Sequence, residues 1–180
     1  MEKIITKSKE ETQKFAEILA NNLLANSGLA NKTGALILGL FGNLGAGKTT
    51  FTQGFAKRLG IKKKIISPTF VILKKFKITK KFQNTNLKSQ TNSKFKIINS
   101  KKLQLVTYNQ QLNLIHIDAY RIENPKELLV LNWNELIKNP QNIILVEWAD
   151  KIKKILPKNY IKINFKFINE NKREIIISKF

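Results

Sequence analysis

The stretch "GNLGAGKTT", Gly42 to Thr50, constrains this chain more than any other. It follows the apolar run Ala35-Leu36-Ile37-Leu38-Gly39-Leu40-Phe41 and precedes a segment, Thr49 to Leu59, that reads as helix. Gly42, Gly47, Lys48 and Thr49 satisfy the pattern G-x-x-x-x-G-K-[ST], and a strand before it with a helix after it is the context that gives the pattern its meaning. Glycines there let backbone N–H groups converge on phosphate oxygens, while the start of the helix adds the positive end of its dipole. Gly45 and Gly47 are expected to line that cradle. Lys48 is placed to neutralise the β- and γ-phosphates as a point charge, and the Thr49 hydroxyl to ligate Mg2+.

Such a loop needs an acid at the end of a neighbouring strand to hold Mg2+ and a group to orient the attacking nucleophile. Two segments supply candidates. "NIILVEW" reads as a central parallel strand buried on both faces and ends near Glu147, and "LNLIHIDAY" as a strand ending near Asp118. Either acid can take either role.

Around these lie a helix with Ser8 as N-cap and Glu11 three residues on, and a short strand broken at Ser67-Pro68 and resumed over Phe70 to Leu73. A further helix is expected from about Pro125 to Asn139, and a hairpin about Asn169-Glu170-Asn171. The fold this predicts is α/β and P-loop NTPase-like: a central, mostly parallel sheet flanked by helices, with antiparallel strands at the C-terminus. At 180 residues the chain reads as a single domain, 1–180. His116, the only histidine, reads as a structural residue, and with no Cys and no second His there is no transition-metal cluster to propose. Trp133 and Trp148 read as core or rim aromatics.

Charge is uneven. The net charge is +21, and between Glu17 and Asp118 seventeen Lys or Arg occur with no acid at all. Contact with RNA and a composition bias on a solvated surface explain this equally well. No apolar stretch approaches the roughly 18 residues of a membrane span, and the first residues lack a secretory h-region, so a cytoplasmic protein is expected.

"GNLGAGKTTF", "SPTF", "HIDAYR", "ELLVLNWNEL" and "VEWAD", in this order and spacing, resemble the TsaE family, the small ATPases of bacterial tRNA threonylcarbamoyladenosine synthesis. The resemblance implies a protein that binds ATP with Mg2+, hydrolyses it slowly, and works with the TsaB and TsaD subunits on the adenosine beside the tRNA anticodon. It implies that Gly45, Ala46, Gly47, Lys48, Thr49 and Thr50 hold the phosphates, that Thr49 and Glu147 ligate Mg2+, and that Asp118 stands near the γ-phosphate. Catalytic roles then fall to Lys48, Asp118 and Glu147. Ser8 and Glu10 match an N-terminal segment that approaches the nucleotide, and Ser67 to Thr69 a switch-like one. The chain departs from the family pattern at Lys75 for an acid, Ala119 for Leu and Asn132 for Gly, and in a Lys-rich insertion at about 77–106. A small-molecule kinase shares the loop but needs an Arg-bearing lid that three Arg supply poorly, and a basic RNA-binding module would not need Lys48, Thr49, Asp118 and Glu147.

Overall fold

The structure is a computed structural model and describes residues 2–26, 33–63, 65–66, 72–78 and 111–179. In chain order the strands are β1 (Glu2–Thr6), β2 (Leu36–Phe41), β3 (Leu73–Lys77), β4 (Asn113–Asp118), β5 (Asn142–Glu147), β6 (Ile161–Phe167) and β7 (Arg173–Lys179). The helices are α1 (Lys9–Asn26), α2 (Lys48–Arg58), α3 (Glu127–Val130) and α4 (Trp133–Lys138). All the strands join one sheet in the order β1-β7-β6-β2-β5-β4-β3.

The centre of that sheet is parallel. β2 pairs with β5 and with β6, and β5 with β4, all parallel, whereas β1, β7 and β3 join antiparallel. β5 has a parallel neighbour on each side and every one of its residues is buried, which is why Ile143-Ile144-Leu145-Val146 runs apolar without alternation. Two apolar cores result, one on each face. On one face Leu36, Leu38, Leu40, Ile143 and Leu145 pack under α1 and α2. On the other, Ile37, Ile115, Ile117, Ile144 and Val146 pack against Ala119, Ile122, Leu128, Trp133 and Ile152.

Ser8 caps α1 as its spacing predicts: the Glu11 N–H donates to Ser8 Oγ at 3.1 Å. Glu11 returns a carboxylate to the N–H of Lys7 (2.8 Å), one residue earlier than a standard capping box. The two helices approach closely at Gly54, where an added Cβ would stand 2.3 Å from the carbonyl oxygen of Gln13. Phe15, Phe51 and Phe55 are fully buried around this seam, each worth about 1.5–3 kcal/mol of burial.

Several elements differ from expectation. The helix foreseen over 125–139 is two short helices, because Asn132 adopts a left-handed conformation (φ 57) that stops α3 and starts α4. Asn tolerates that conformation better than most residues and Gly better still, which accounts for the Gly usual at this position in the family pattern. β3 begins at Leu73, where the foreseen strand was to end, and pairs with β4 down to Lys77. Lys77 closes β3 and Ile78 is buried, so the first two residues of the insertion expected at about 77–106 lie at the sheet; residues 79–110 lie outside the described residues, as do Ser67 to Val71 with their switch-like segment. β1 has no counterpart in the sequence reading: its only inward residues are Ile4 and Thr6, and its partner β7 comes from the opposite end of the chain.

Replacing Gly54 with Ala tests the helix seam. In an open helix the change gains about 1 kcal/mol, whereas overpacking costs typically about 1–3 kcal/mol, and with backbone at 2.3 Å the cost falls in the upper part of that range, so the clash should win with a net loss of up to about 2 kcal/mol. Urea denaturation reads this, and an unchanged or raised midpoint would show that α1 and α2 are not in contact at Gln13.

Candidate functional site

The register of the parallel ladder sets Leu40 beside Glu147 and Glu147 beside Asp118, so β2, β5 and β4 end at one level. The chain leaves β2 through Phe41 and turns at once into the loop. Gly42 (φ 136), Gly45 (φ 72) and Gly47 (φ 101) all take positive φ there. Gly42 is required twice over, since a Cβ would stand 2.3 Å from the carbonyl oxygen of Phe165 on β6. Gly47 is the N-cap of α2 and no side chain caps that end. The first N–H groups of α2 therefore point into the loop, an arrangement suited to an anion.

Around this end lies a cavity of about 830 Å³. Of the residues singled out from the sequence, Ser8, Gly45, Ala46, Gly47, Lys48, Thr49, Thr50, Asp118 and Glu147 all line it. Glu10 does not. It is exposed on the first turn of α1, and its carboxylate, bonded by its own backbone N–H and by the Ser8 hydroxyl, is held below the ordinary glutamate value.

Thr49 Oγ1 donates to Glu147 Oε2 at 2.7 Å, joining the start of α2 to the end of β5. The other oxygen, Oε1, receives Thr52 Oγ1 at 3.1 Å and His116 Nε2 at 2.9 Å. Lys48 is almost wholly buried, with Nζ donating to the carbonyls of Gly42 (2.6 Å) and Asn43 (2.8 Å) and lying 3.8 Å from the centre of the Trp148 ring. Burial pushes the ammonium below the ordinary lysine value, while Glu147, Asp118 and Asp150 pull it back up. Asp118 Oδ1 accepts the N–H of Tyr120 at 3.0 Å, an Asx-type turn that fixes the carboxylate at the mouth of β4.

Three residues at the site were not read as such from the sequence. Trp148 stands in a left-handed conformation (φ 57), costing a bulky residue about 1–2 kcal/mol, and in exchange its ring lies under the Lys48 ammonium and against Tyr120 (5.0 Å between ring centres). Trp133, by contrast, read as a core or rim aromatic, lies in the core. Arg173 opens β7 and lines the cavity. Its Nε donates to the carbonyl of Gly45 (3.2 Å), its Nη1 to the hairpin carbonyls of Asn169, Glu170 and Lys172, and its guanidinium covers the Phe167 ring. Only topology could have signalled it: because β6 runs parallel to β2, the hairpin after β6 arrives at the same edge as the loop. The third is His116, which touches Glu147 rather than only filling space.

A glycine loop between a central parallel strand and a helix, with acids ending the next two strands on one side of it, defines a P-loop α/β protein. The chain belongs to the TsaE family: the model described as "Threonylcarbamoyl adenosine biosynthesis protein TsaE" matches residues 6–88 and 84–175. The two matches overlap at residues 84–88, inside the Lys-rich stretch. The chain is 34% identical to the tRNA threonylcarbamoyladenosine biosynthesis protein TsaE of Rickettsia prowazekii, over 96% of this chain and 91% of that one. It is 37% identical to the Bacillus subtilis protein of the same name over 97 residues, covering 53% of this chain and 41% of that one. The crystal structure of Bacillus subtilis YdiB superposes with a TM-score of 0.62 at 29% identity, covering 99% of this chain and 84% of that one. Membership places the chain in tRNA threonylcarbamoyladenosine biosynthesis. Among the described residues no helix is long and apolar enough to cross a membrane.

The electrostatics of Lys48 can be checked directly. Glu147→Gln removes one of the carboxylates that hold the ammonium up, so its pKa should fall further below the ordinary lysine value. The lysine 15N resonance should then titrate at lower pH in the variant than in the wild type, and an unchanged or higher midpoint would contradict the arrangement.

Proposed function

We propose that this chain is a Mg2+-dependent ATPase that acts in the cytoplasm with TsaB and TsaD in threonylcarbamoyl modification of the adenosine beside the anticodon in tRNA. The observation that carries the reading is the bond from the Thr49 hydroxyl to the Glu147 carboxylate at 2.7 Å, beside the phosphate loop. Hard oxygen donors of this kind fit Mg2+, which is usually bound by one or two side chains with phosphates and water completing its shell. Among the described residues there is no cluster of three or more His, Cys, Asp or Glu that would make a metal cage of protein alone, so phosphate oxygens are the natural remainder.

Each residue then has a physical task. The N–H groups from Gly45 to Thr50 converge on phosphate oxygens, and the dipole of α2 favours their charge. Lys48 is already stripped of most water, so its charge acts at low dielectric on the β- and γ-phosphates once its bonds to Gly42 and Asn43 are exchanged for them. Thr49 and Glu147 would hold Mg2+, which when bound supplies the positive charge that offsets the triphosphate. Asp118 lines the same cavity and is placed to orient a water toward the γ-phosphorus and receive its proton as the bond to the β-phosphate oxygen breaks, leaving ADP and phosphate. Arg173, anchored to the loop carbonyl of Gly45, adds a second cation on the phosphate side.

Substitutions separate these tasks. Lys48→Ala should weaken ATP binding about ten- to hundredfold, the loss of a charge-assisted contact, while the fold survives. Calorimetry on the folded variant measures this, and unchanged affinity would remove the phosphate-loop assignment. Thr49→Ala should reduce the Mg2+ dependence of ATP binding, whereas Asp118→Asn should reduce turnover, assayed with and without TsaB and TsaD, more than binding. The reverse pattern would mean that Asp118 serves the metal.

A further inference from the structure

His116 lies in β4 between Ile115 and Ile117 and is fully buried. Strand alternation puts Leu114, His116 and Asp118 on the face that packs under α2, the same face to which β5 presents Ile143, Leu145 and Glu147. In the ladder His116 pairs with Leu145, two residues short of Glu147, and its ring spans the difference so that Nε2 meets Glu147 Oε1 at 2.9 Å. An ionised carboxylate only accepts hydrogen bonds, so the proton of this pair belongs to Nε2. Nδ1 is then a buried acceptor with no hydrogen-bond partner. An aliphatic side chain such as that of Leu114 would fill the same face without leaving such an atom unpaired. What histidine adds at this position is the bond to Glu147.

Glu147 needs that bond. The terminal torsion of a glutamate is broad, so one donor does not fix how the carboxylate is turned. Thr52 is the other donor to Oε1, and its hydroxyl is shared with the Lys48 carbonyl at 3.0 Å. We infer that His116 is a positioning residue: by holding Oε1 from the core side, its Nε2–H turns Oε2 toward the Thr49 hydroxyl, where the magnesium side of the nucleotide site lies. This rests on the reading of Thr49 and Glu147 as that side. A histidine one layer behind a metal-binding carboxylate acts on metal affinity while touching neither metal nor nucleotide.

The test is ATP binding by calorimetry, with Mg2+ titrated from zero, in the wild type, His116→Leu and His116→Gln. For His116→Leu the Mg2+ concentration at half-effect should rise about ten- to hundredfold, with Mg2+-free ATP affinity unchanged. His116→Gln, whose amide nitrogen can stand where Nε2 stood, should recover most of the loss. A Leu variant that keeps the wild-type Mg2+ response would overturn the inference, and so would one that loses Mg2+-free affinity equally, which would make His116 a residue of the fold alone. A wild type with no Mg2+ effect would instead bring down the magnesium reading itself, and this inference with it. Should His116→Leu not fold, the wild type still decides. As the only histidine it gives one pair of ring 15N signals, expected with the proton on Nε2, and a proton on Nδ1 alone would overturn the assignment.

Discussion

The parallel pairing of β2, β5 and β4 is the constraint on which the site depends. It sets Leu40, Glu147 and Asp118 at one level, so the loop that leaves β2 meets the carboxyl end of β5 beside it and that of β4 one strand further on. A slip of one residue in either ladder would turn the acid to the opposite face and away from α2. An apolar run buried on both faces does not by itself oppose that slip; Glu147 does, because the slip would carry its carboxylate into the core of Ile144 and Val146, away from Thr49, Thr52 and His116. Core and site are thus specified together.

The same edge carries a concentration of groups that a core would not choose for stability. Lys48, Thr52, His116, Asp118 and Glu147 are all buried, Trp148 is in a strained conformation, and α2 has no side-chain cap. Buried charge is tolerated where it is paired and hydrogen-bonded. Glu147 receives three donors, from Thr49, Thr52 and His116, and Lys48 is held by two carbonyls and an aromatic face. The N–H groups at the start of α2, which no side chain caps, and the desolvated ammonium of Lys48 share one sign, whereas His116 Nδ1 is left an unpaired acceptor. An anion complements the first two, and the cavity beside them is large enough to hold one.

How much of this was readable in the sequence follows from how local each signal is. The loop, the run Ile143-Ile144-Leu145-Val146 before Glu147, and the hairpin about Asn169 are written in consecutive residues, and the structure has them where the sequence put them. β1 was invisible because a short strand with two inward residues carries no periodicity, and its stabilising partner lies at the far end of the chain. The break at Asn132 turns on one backbone conformation in an otherwise helical pattern. Arg173 and Trp148 belong to the site only through the tertiary arrangement, one by the parallel run of β6 and the other by its positive φ. His116, read as structural, is a buried and hydrogen-bonded residue of β4, but its partner could not be read from the sequence. A lone buried histidine is usually structural, and only its register against Glu147 shows which polar group it serves.

The central claim is that this edge of the sheet recognises a polyphosphate rather than a nucleoside. Calorimetric titration of ATP and of AMP into the purified chain, both with Mg2+ present, tests it most directly. The account predicts saturable binding of ATP to a single site and no comparable binding of AMP, which lacks the phosphates that Lys48 and the start of α2 face. Equal affinity for the two nucleotides, or no binding of ATP by the folded chain, would contradict it.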